Sequence, residues 1–94
     1  MLFIVIGYDG TDSEALARRM AAREGHLQGV QVLRDEGKFQ YGGALLDSAG
    51  NMIGSMMILD FPSETDLRTE FLNEEPYVQQ GVWKTVNVHP FRLP

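Results

Sequence analysis

Residues 38–61 read KFQYGGALLDSAGNMIGSMMILDF, two apolar runs separated by a short stretch of small and polar residues. Runs rich in branched and aromatic side chains are typical of β-strands. The Asp-Ser-Ala-Gly-Asn segment between them is typical of a hairpin loop. We therefore predict strands over residues 38–46 and 52–61, joined at residues 47–51.

A strand and a long helical pattern precede this hairpin. Residues 2–8, LFIVIGY, predict a buried strand. Helical pattern follows over residues 13–36, with a capping box at residues 11–14 and Gly37 as the C-terminal cap. A single continuous helix over residues 13–36 would be about 36 Å long at 1.5 Å per residue, whereas the preceding strand spans only about 23 Å. We therefore expect a break near residues 24–25, which divides a short helix from the main one.

A second helix and a last strand follow the hairpin. Ser63 caps the second helix, and the Glu-Pro-Tyr segment at residues 75–77 ends it, because the residue before a proline is pushed out of the helical region. Residues 81–89 predict the fourth strand, which Pro90 stops. The order βαββαβ with right-handed crossovers gives a four-stranded antiparallel sheet with both helices on one face. We therefore predict an α+β fold, the ferredoxin-like plait, as a single domain over residues 1–94.

The sheet face away from the helices needs a cover. Successive side chains of a strand alternate between the two faces, so the large apolar residues of the strands cannot all point toward the helices. Either large apolar groups face water, or a second copy covers them. We expect a homodimer through this sheet face. The residues concerned are Phe3, Val5, Met56, Met57, Ile58, Trp83 and Val86.

Composition excludes several classes of function. The 94 residues include no cysteine, which excludes a thiolate nucleophile and cysteine-based metal sites. Eight basic against thirteen acidic residues give a net charge of −5, which argues against nucleic acid as a partner. The opening apolar run is far shorter than the about 20 residues of a membrane span and lacks an export signal, so we expect a cytoplasmic protein. Two isolated histidines do not have metal-ligand spacing, and we expect neither a metal nor a cofactor.

Two acid–base side chains are the main site candidate. If the main helix begins near Glu24, His26 lies in its first turn, beside the end of the first strand, where Asp9 is found. A helix N-terminus keeps an imidazole neutral, and a carboxylate on its other ring nitrogen fixes the tautomer. From the residues alone, a packing histidine and a turn aspartate are the more common interpretation.

Two further segments offer groups to a ligand. Ser55 follows Gly54 in an apolar strand, where glycine indicates a bulge or the close approach of a ligand, and its hydroxyl could bind a substrate oxygen. Pro76 and Tyr77 could form an aromatic wall at a pocket mouth. A hydrogen-bonded serine fits equally well, and a tyrosine packed on the core fits slightly better.

Short motifs are spread along the whole chain: Asp9 with Asp12-Ser13, Arg23-Glu24-Gly25-His26-Leu27, Leu33-Arg34-Asp35-Glu36-Gly37, Gly42-Gly43, Gly54-Ser55, Glu75-Pro76-Tyr77, Gly81-Val82 and Val88-His89-Pro90-Phe91. No single motif is decisive. Their order and spacing together resemble the YciI-like family.

This resemblance implies a dimeric α/β barrel built from ferredoxin-like plaits. It also implies an active site centred on a histidine and an aspartate, which fall on His26 and Asp9, with a serine that falls on Ser55. Two positions depart from the family pattern. Glu75 replaces the usual aspartate before Pro-Tyr, and Ala44 replaces the proline after the glycine pair, so we expect a ligand of different shape.

The resemblance also implies an activity. The family includes a dehydrochlorinase that acts on a chlorinated hydroxyhydroquinone, and relatives of the barrel include muconolactone isomerases. We expect a cofactor-independent dehydrochlorinase of chloroaromatic degradation, in which His26 transfers a proton and Asp9 orients the His26 ring. Ser55, Pro76 and Tyr77 would bind a small cyclic substrate. A muconolactone-type isomerase and a non-catalytic small-molecule-binding dimer domain are the alternatives.

Overall fold

The sheet and its crossovers follow the predicted order. A computed structural model describes residues 1–94. Its sheet has the strand order β2-β3-β1-β4, with every neighbouring pair antiparallel, so the ferredoxin-like plait is confirmed. The elements are β1 (Leu2–Asp9), α1 (Ala15–Asp35), β2 (Phe39–Leu46), β3 (Met52–Asp60), α2 (Glu64–Glu70), a 3₁₀ turn (Leu72–Glu74), α3 (Pro76–Gln79) and β4 (Trp83–Phe91).

Helix α1 is continuous, so the predicted break at residues 24–25 is wrong. Gly25 allows a helix contact there: a Cβ at this position would lie 3.2 Å from Cγ of Pro76 in α3. The glycine therefore lets two helices approach closely, and it does not interrupt the first one. Gly37, at φ 73°, follows the helix end as predicted. No helix of the chain combines the length and the apolar character needed to cross a bilayer.

The start of α1 also differs from the prediction. The N-cap Glu14 makes no side-chain capping bond, so the capping box at residues 11–14 does not form. Asp12 instead accepts two hydrogen bonds from the Arg18 guanidinium, at 2.7 and 3.0 Å. The Arg18 hydrogen bond holds the pKa of the exposed Asp12 carboxyl well below its usual range. An ion pair therefore replaces the predicted box.

The second crossover consists of short pieces. Ser63 caps α2 as predicted, because its hydroxyl accepts a hydrogen bond from the Asp66 backbone N–H at 3.1 Å. The Glu-Pro-Tyr segment begins a helix, however, and does not end one. Pro76 takes the first position of α3, where its fixed φ suits a helix, and the Glu75 carboxylate accepts from the Tyr77 N–H at 3.1 Å. Pro90 does not stop β4, because an edge strand tolerates a proline.

The register divides the apolar strand residues between two faces. Val5 pairs with Met57, and Ile4 pairs with Ile58, in adjacent antiparallel strands. The first pair is buried under the helices, whereas the second is half-buried. We call the face away from the helices the open face. Its apolar residues in β1 and β3 are Leu2, Ile4, Ile6, Met56 and Ile58.

Candidate functional site

The buried polar side chains of the chain form a connected site. They lie on the helix-covered side of the sheet and contact one another in two groups. They are Asp9, Arg19, His26, Ser55 and Glu75. Because burying a polar group without partners is costly, such a cluster indicates a function or a specific structural role.

The first group is built around Arg19, which is only 4% exposed. Its Nη1 lies 3.1 Å from both carboxylate oxygens of Asp9, and its Nη2 donates to Ser55 Oγ at 2.9 Å. Trp83 Nε1 donates to the same oxygen at 3.3 Å. Because Ser55 Oγ thus accepts two hydrogen bonds, its own proton is available for a third group.

The second group joins His26 to Glu75. His26 Nδ1 lies 2.6 Å from Glu75 Oε1, and both side chains are buried. The same oxygen accepts from the Tyr77 backbone N–H, so α3 fixes the position of the carboxylate. A carboxylate bond at Nδ1 places the proton there, which leaves Nε2 as a proton acceptor.

Tyr77 connects the two groups. Its ring stacks on the His26 ring with centroids 4.0 Å apart, and the Arg19 guanidinium carbon lies 4.8 Å from its centroid. Burial raises the pKa of the Tyr77 phenol, although the nearby Arg19 and Arg23 charges oppose the shift. The phenol therefore remains protonated in neutral solution and can donate a hydrogen bond.

The predicted contact between Asp9 and His26 is wrong. Asp9 binds Arg19, and the carboxylate partner of His26 is Glu75. The continuous α1 explains the difference, because it carries His26 about 10 Å beyond Arg19 along the helix axis, at 1.5 Å per residue. His26 is therefore in the middle of a helix, and the argument from a helix N-terminus does not apply to it.

A cavity of about 160 Å³ lies between α1 and the strands β2 and β3. His26, Ser55, Tyr77 and Arg19 contribute to its wall. A cavity of about 150 Å³ is known to hold one benzene ring, so this one has room for a single six-membered ring. Three of the five predicted site residues, namely His26, Ser55 and Tyr77, are thus brought together around one space.

Pro76 and Asp9 do not line this cavity. The Pro76 ring instead faces Gly25 of α1, because it occupies the first turn of α3 on the side of the helix contact. Of the two departures from the family pattern, Ala44 lines the cavity, and Glu75 lies behind it as the partner of His26.

Sequence reasoning missed Arg19 and the role of Glu75. The signal for Arg19 is its spacing, because it shares the buried stripe of α1 with Ala22, His26 and Val30 at intervals of three and four residues. The signal for Glu75 is its place before Pro76, where an acidic side chain can cap a following helix.

Trp83 is held over a glycine, which gives a stability prediction. A Cβ on Gly7 would lie 2.4 Å from a ring carbon of Trp83, whereas a Cβ on Gly29 in α1 meets nothing within 4 Å. We expect Gly7→Ala to destabilise the fold by about 1–3 kcal/mol through overpacking. Gly29→Ala should stabilise it by about 0.5–1 kcal/mol, because glycine is unfavourable within a helix. Urea unfolding of both variants measures this, and equal shifts in the same direction would contradict the prediction.

The fold and the site define a small α+β protein with a hydrogen-bonded histidine at a ring-sized cavity. The model of the YCII-related domain matches residues 1–92. The protein YciI of Escherichia coli O6:H1 is 34% identical over 98 residues, which cover 98% of this chain and 97% of that protein. The YciI of Shigella flexneri matches to the same extent. The chain therefore belongs to the YCII-related domain family, which confirms the resemblance seen in the sequence.

Solved structures share the fold. The 5-chloro-2-hydroxyhydroquinone dehydrochlorinase of Burkholderia phenoliruptrix, in complex with 2,5-dihydroxybenzoquinone, superposes with a TM-score of 0.84 at 23% identity. The match covers 98% of this chain and 94% of that chain. A NIPSNAP domain protein from Burkholderia xenovorans gives a TM-score of 0.52 at 13% identity, covering 100% and 94% of the two chains.

Proposed function

We propose that the chain is a cofactor-independent lyase that removes HCl from a small chlorinated hydroxyhydroquinone, in the breakdown of chlorinated aromatics. The main observation behind this proposal is the His26–Glu75 hydrogen bond of 2.6 Å at the wall of a cavity with room for one ring. The shared fold with a 5-chloro-2-hydroxyhydroquinone dehydrochlorinase supports the proposal.

Loss of HCl from such a ring needs proton transfer and no external oxidant. One hydroxyl proton moves to the ring carbon that bears chlorine, a second hydroxyl loses its proton, and the ring electrons expel chloride. The carbon–chlorine bond becomes a carbon–hydrogen bond while two hydroxyls become carbonyls, so oxidation and reduction balance within the ring. A single positioned base that can also return a proton is sufficient.

His26 supplies this base through Nε2. It accepts a hydroxyl proton and returns it to the chlorine-bearing carbon, and Glu75 stabilises the imidazolium in between. Glu75 thus has the orienting role that the sequence predicted for Asp9. The stacked Tyr77 ring fixes the plane of the imidazole.

The Arg19 group stabilises the oxygen on which negative charge develops. The free proton of Ser55 Oγ donates to that oxygen, and the buried Arg19 charge lies directly behind the serine. Preorganised donors of this kind are among the largest contributions to catalysis. Asp9 is a positioning residue, because its carboxylate holds the Arg19 guanidinium in place.

The test is release of chloride from 5-chloro-2-hydroxyhydroquinone by the full chain without added metal or cofactor. We expect chloride and the hydroxyquinone in equal amounts. Ring binding without chloride release would overturn the proposal in favour of a small-molecule-binding domain. Double-bond migration in a muconolactone without halide release would favour the isomerase.

We also propose that a second copy of the chain covers the open face. The half-buried aliphatic side chains there form one surface across β1 and β3, and burial against a twin would remove them from water.

The substitution Ile4→Glu should convert this dimer into a monomer, because it places charge in the middle of the apolar surface. Val32→Glu is the matched control, since Val32 is 56% exposed on α1. Light scattering after size exclusion gives the mass, and circular dichroism checks that both variants fold. A monomeric parent chain, or a dimeric Ile4→Glu variant, would contradict the proposal.

A further inference from the structure

The cavity wall has an uneven charge. Three arginines line it, namely Arg19, Arg23 and Arg34, and no Asp or Glu lines it. The chain as a whole has thirteen acidic residues against eight Lys and Arg, with a net charge of −5. Positive charge is therefore concentrated at this cavity against the balance of the whole molecule, and such a cavity attracts anions.

One of these arginines has a carboxylate partner behind the wall, and two have none. Asp9 neutralises Arg19. Arg23 and Arg34 make no ion pair with any Asp or Glu of the chain, although both line the cavity. Their charge is thus available to a ligand.

Arg34 is oriented by an aromatic ring. Its guanidinium carbon lies 4.7 Å from the centroid of the Phe39 ring, which also lines the cavity. A guanidinium held over a ring face keeps N–H groups that can bind an acceptor. A carboxylate matches that planar pair of donors better than a single oxygen does.

The spacing along α1 fits a ring between His26 and Arg34. The two residues are about 12 Å apart along the axis at 1.5 Å per residue. Long side chains lean toward the N-terminus of their helix, which brings the Arg34 guanidinium back toward His26. A ligand can therefore present its reacting oxygen to His26 and Ser55 and a second polar group to Arg34.

We infer that the ring bound in this cavity carries a carboxylate and that Arg34 binds it, at the opposite end from Ser55. The inference rests on the proposed function for the reacting end of the ring. It specifies the substrate class further, as a chlorinated hydroxyhydroquinone that also carries a carboxylate. Arg23 adds to the attraction through its unpaired charge.

The experiment compares 2,5-dihydroxybenzoate with its neutral analogue 2,5-dihydroxybenzamide, by calorimetric titration of the full chain. We expect the acid to bind about tenfold more tightly or better, because a charged carboxylate–guanidinium pair is lost with the amide. Arg34→Met should abolish this preference by weakening binding of the acid more than binding of the amide, and Arg34→Lys should keep part of it. Arg68→Met is the matched control, because it removes the same charge from an exposed pair on α2.

The outcomes separate this inference from the proposed function. Equal affinity for acid and amide, a preference that survives Arg34→Met, or an equal loss in Arg68→Met would overturn the inference. If Arg34→Met binds neither probe, the ratio of acid to amide affinity in the parent chain and in Arg34→Lys still tests the inference. Chloride release from the uncharged chlorohydroxyhydroquinone without a carboxylate preference overturns only the inference. An Arg34-dependent preference without any chloride release overturns only the proposed function.

Discussion

Replacing His26 by Gln is expected to slow chloride release from 5-chloro-2-hydroxyhydroquinone by about 10²–10⁴-fold, the usual contribution of a positioned general base. Glutamine keeps a polar side chain of similar size in α1 but cannot accept and return a proton. The rate of chloride release under saturating substrate measures the effect. The affinity for 5-chloro-2-hydroxyhydroquinone should change little, because glutamine keeps a side chain of similar size in the cavity wall.

His89→Gln is the matched control, because His89 is the second histidine of the chain and lies in β4 outside the cavity wall. The rate of chloride release by Glu75→Gln should lie between the rates of these two variants. The substitution removes the charge that stabilises the imidazolium but keeps an acceptor at the same position. A His26→Gln variant that releases chloride about as fast as the His89→Gln variant would contradict the assignment of the base.

Replacing Asp9 by Asn is expected to destabilise the chain by about 3–5 kcal/mol, because it leaves the Arg19 charge buried without a counter-charge. Both side chains of this pair are at most 5% exposed. In a chain of this size, each kcal/mol of lost unfolding free energy lowers the melting temperature by about 4–8 °C. Urea unfolding gives the free energy, and thermal unfolding gives the temperature shift.

Two comparisons test the cause of this loss. Asp12→Asn breaks an exposed aspartate–arginine pair of the same kind, and it should change stability little, because water screens that pair. The double variant Asp9→Asn with Arg19→Met should recover part of the stability, since it removes the unpaired charge as well. Equal losses for Asp9→Asn and Asp12→Asn would show that the buried charge is not the reason.

The order of elements could be predicted from the sequence because each depends on local pattern. The hairpin, β1 and the cap at Ser63 all follow from neighbouring residues. The long helix could not be predicted correctly from the length argument. Whether Gly25 breaks a helix or allows a contact depends on Pro76, which is far away in the sequence.

The site could be predicted in its members more than in its connections. Of the five predicted site residues, His26, Ser55 and Tyr77 line one cavity, whereas Asp9 and Pro76 do not. The carboxylate partner of His26 depends on α3, a helix of four residues that has no periodic signal of its own. The pairing of Asp9 with Arg19 depends on which face of α1 packs on the sheet, and the spacing of residues in the sequence does not name the partner of a buried arginine.

The first turn of α3 holds Glu75 and Tyr77 against His26 of α1, so none of these three side chains can shift without disturbing the other two. The opposite wall, at the edge strand β2, is different: Gly43 lines the cavity, and a Cβ there would meet nothing within 4 Å. Evolution can therefore reshape the cavity through β2 while the contacts among His26, Glu75 and Tyr77 stay unchanged.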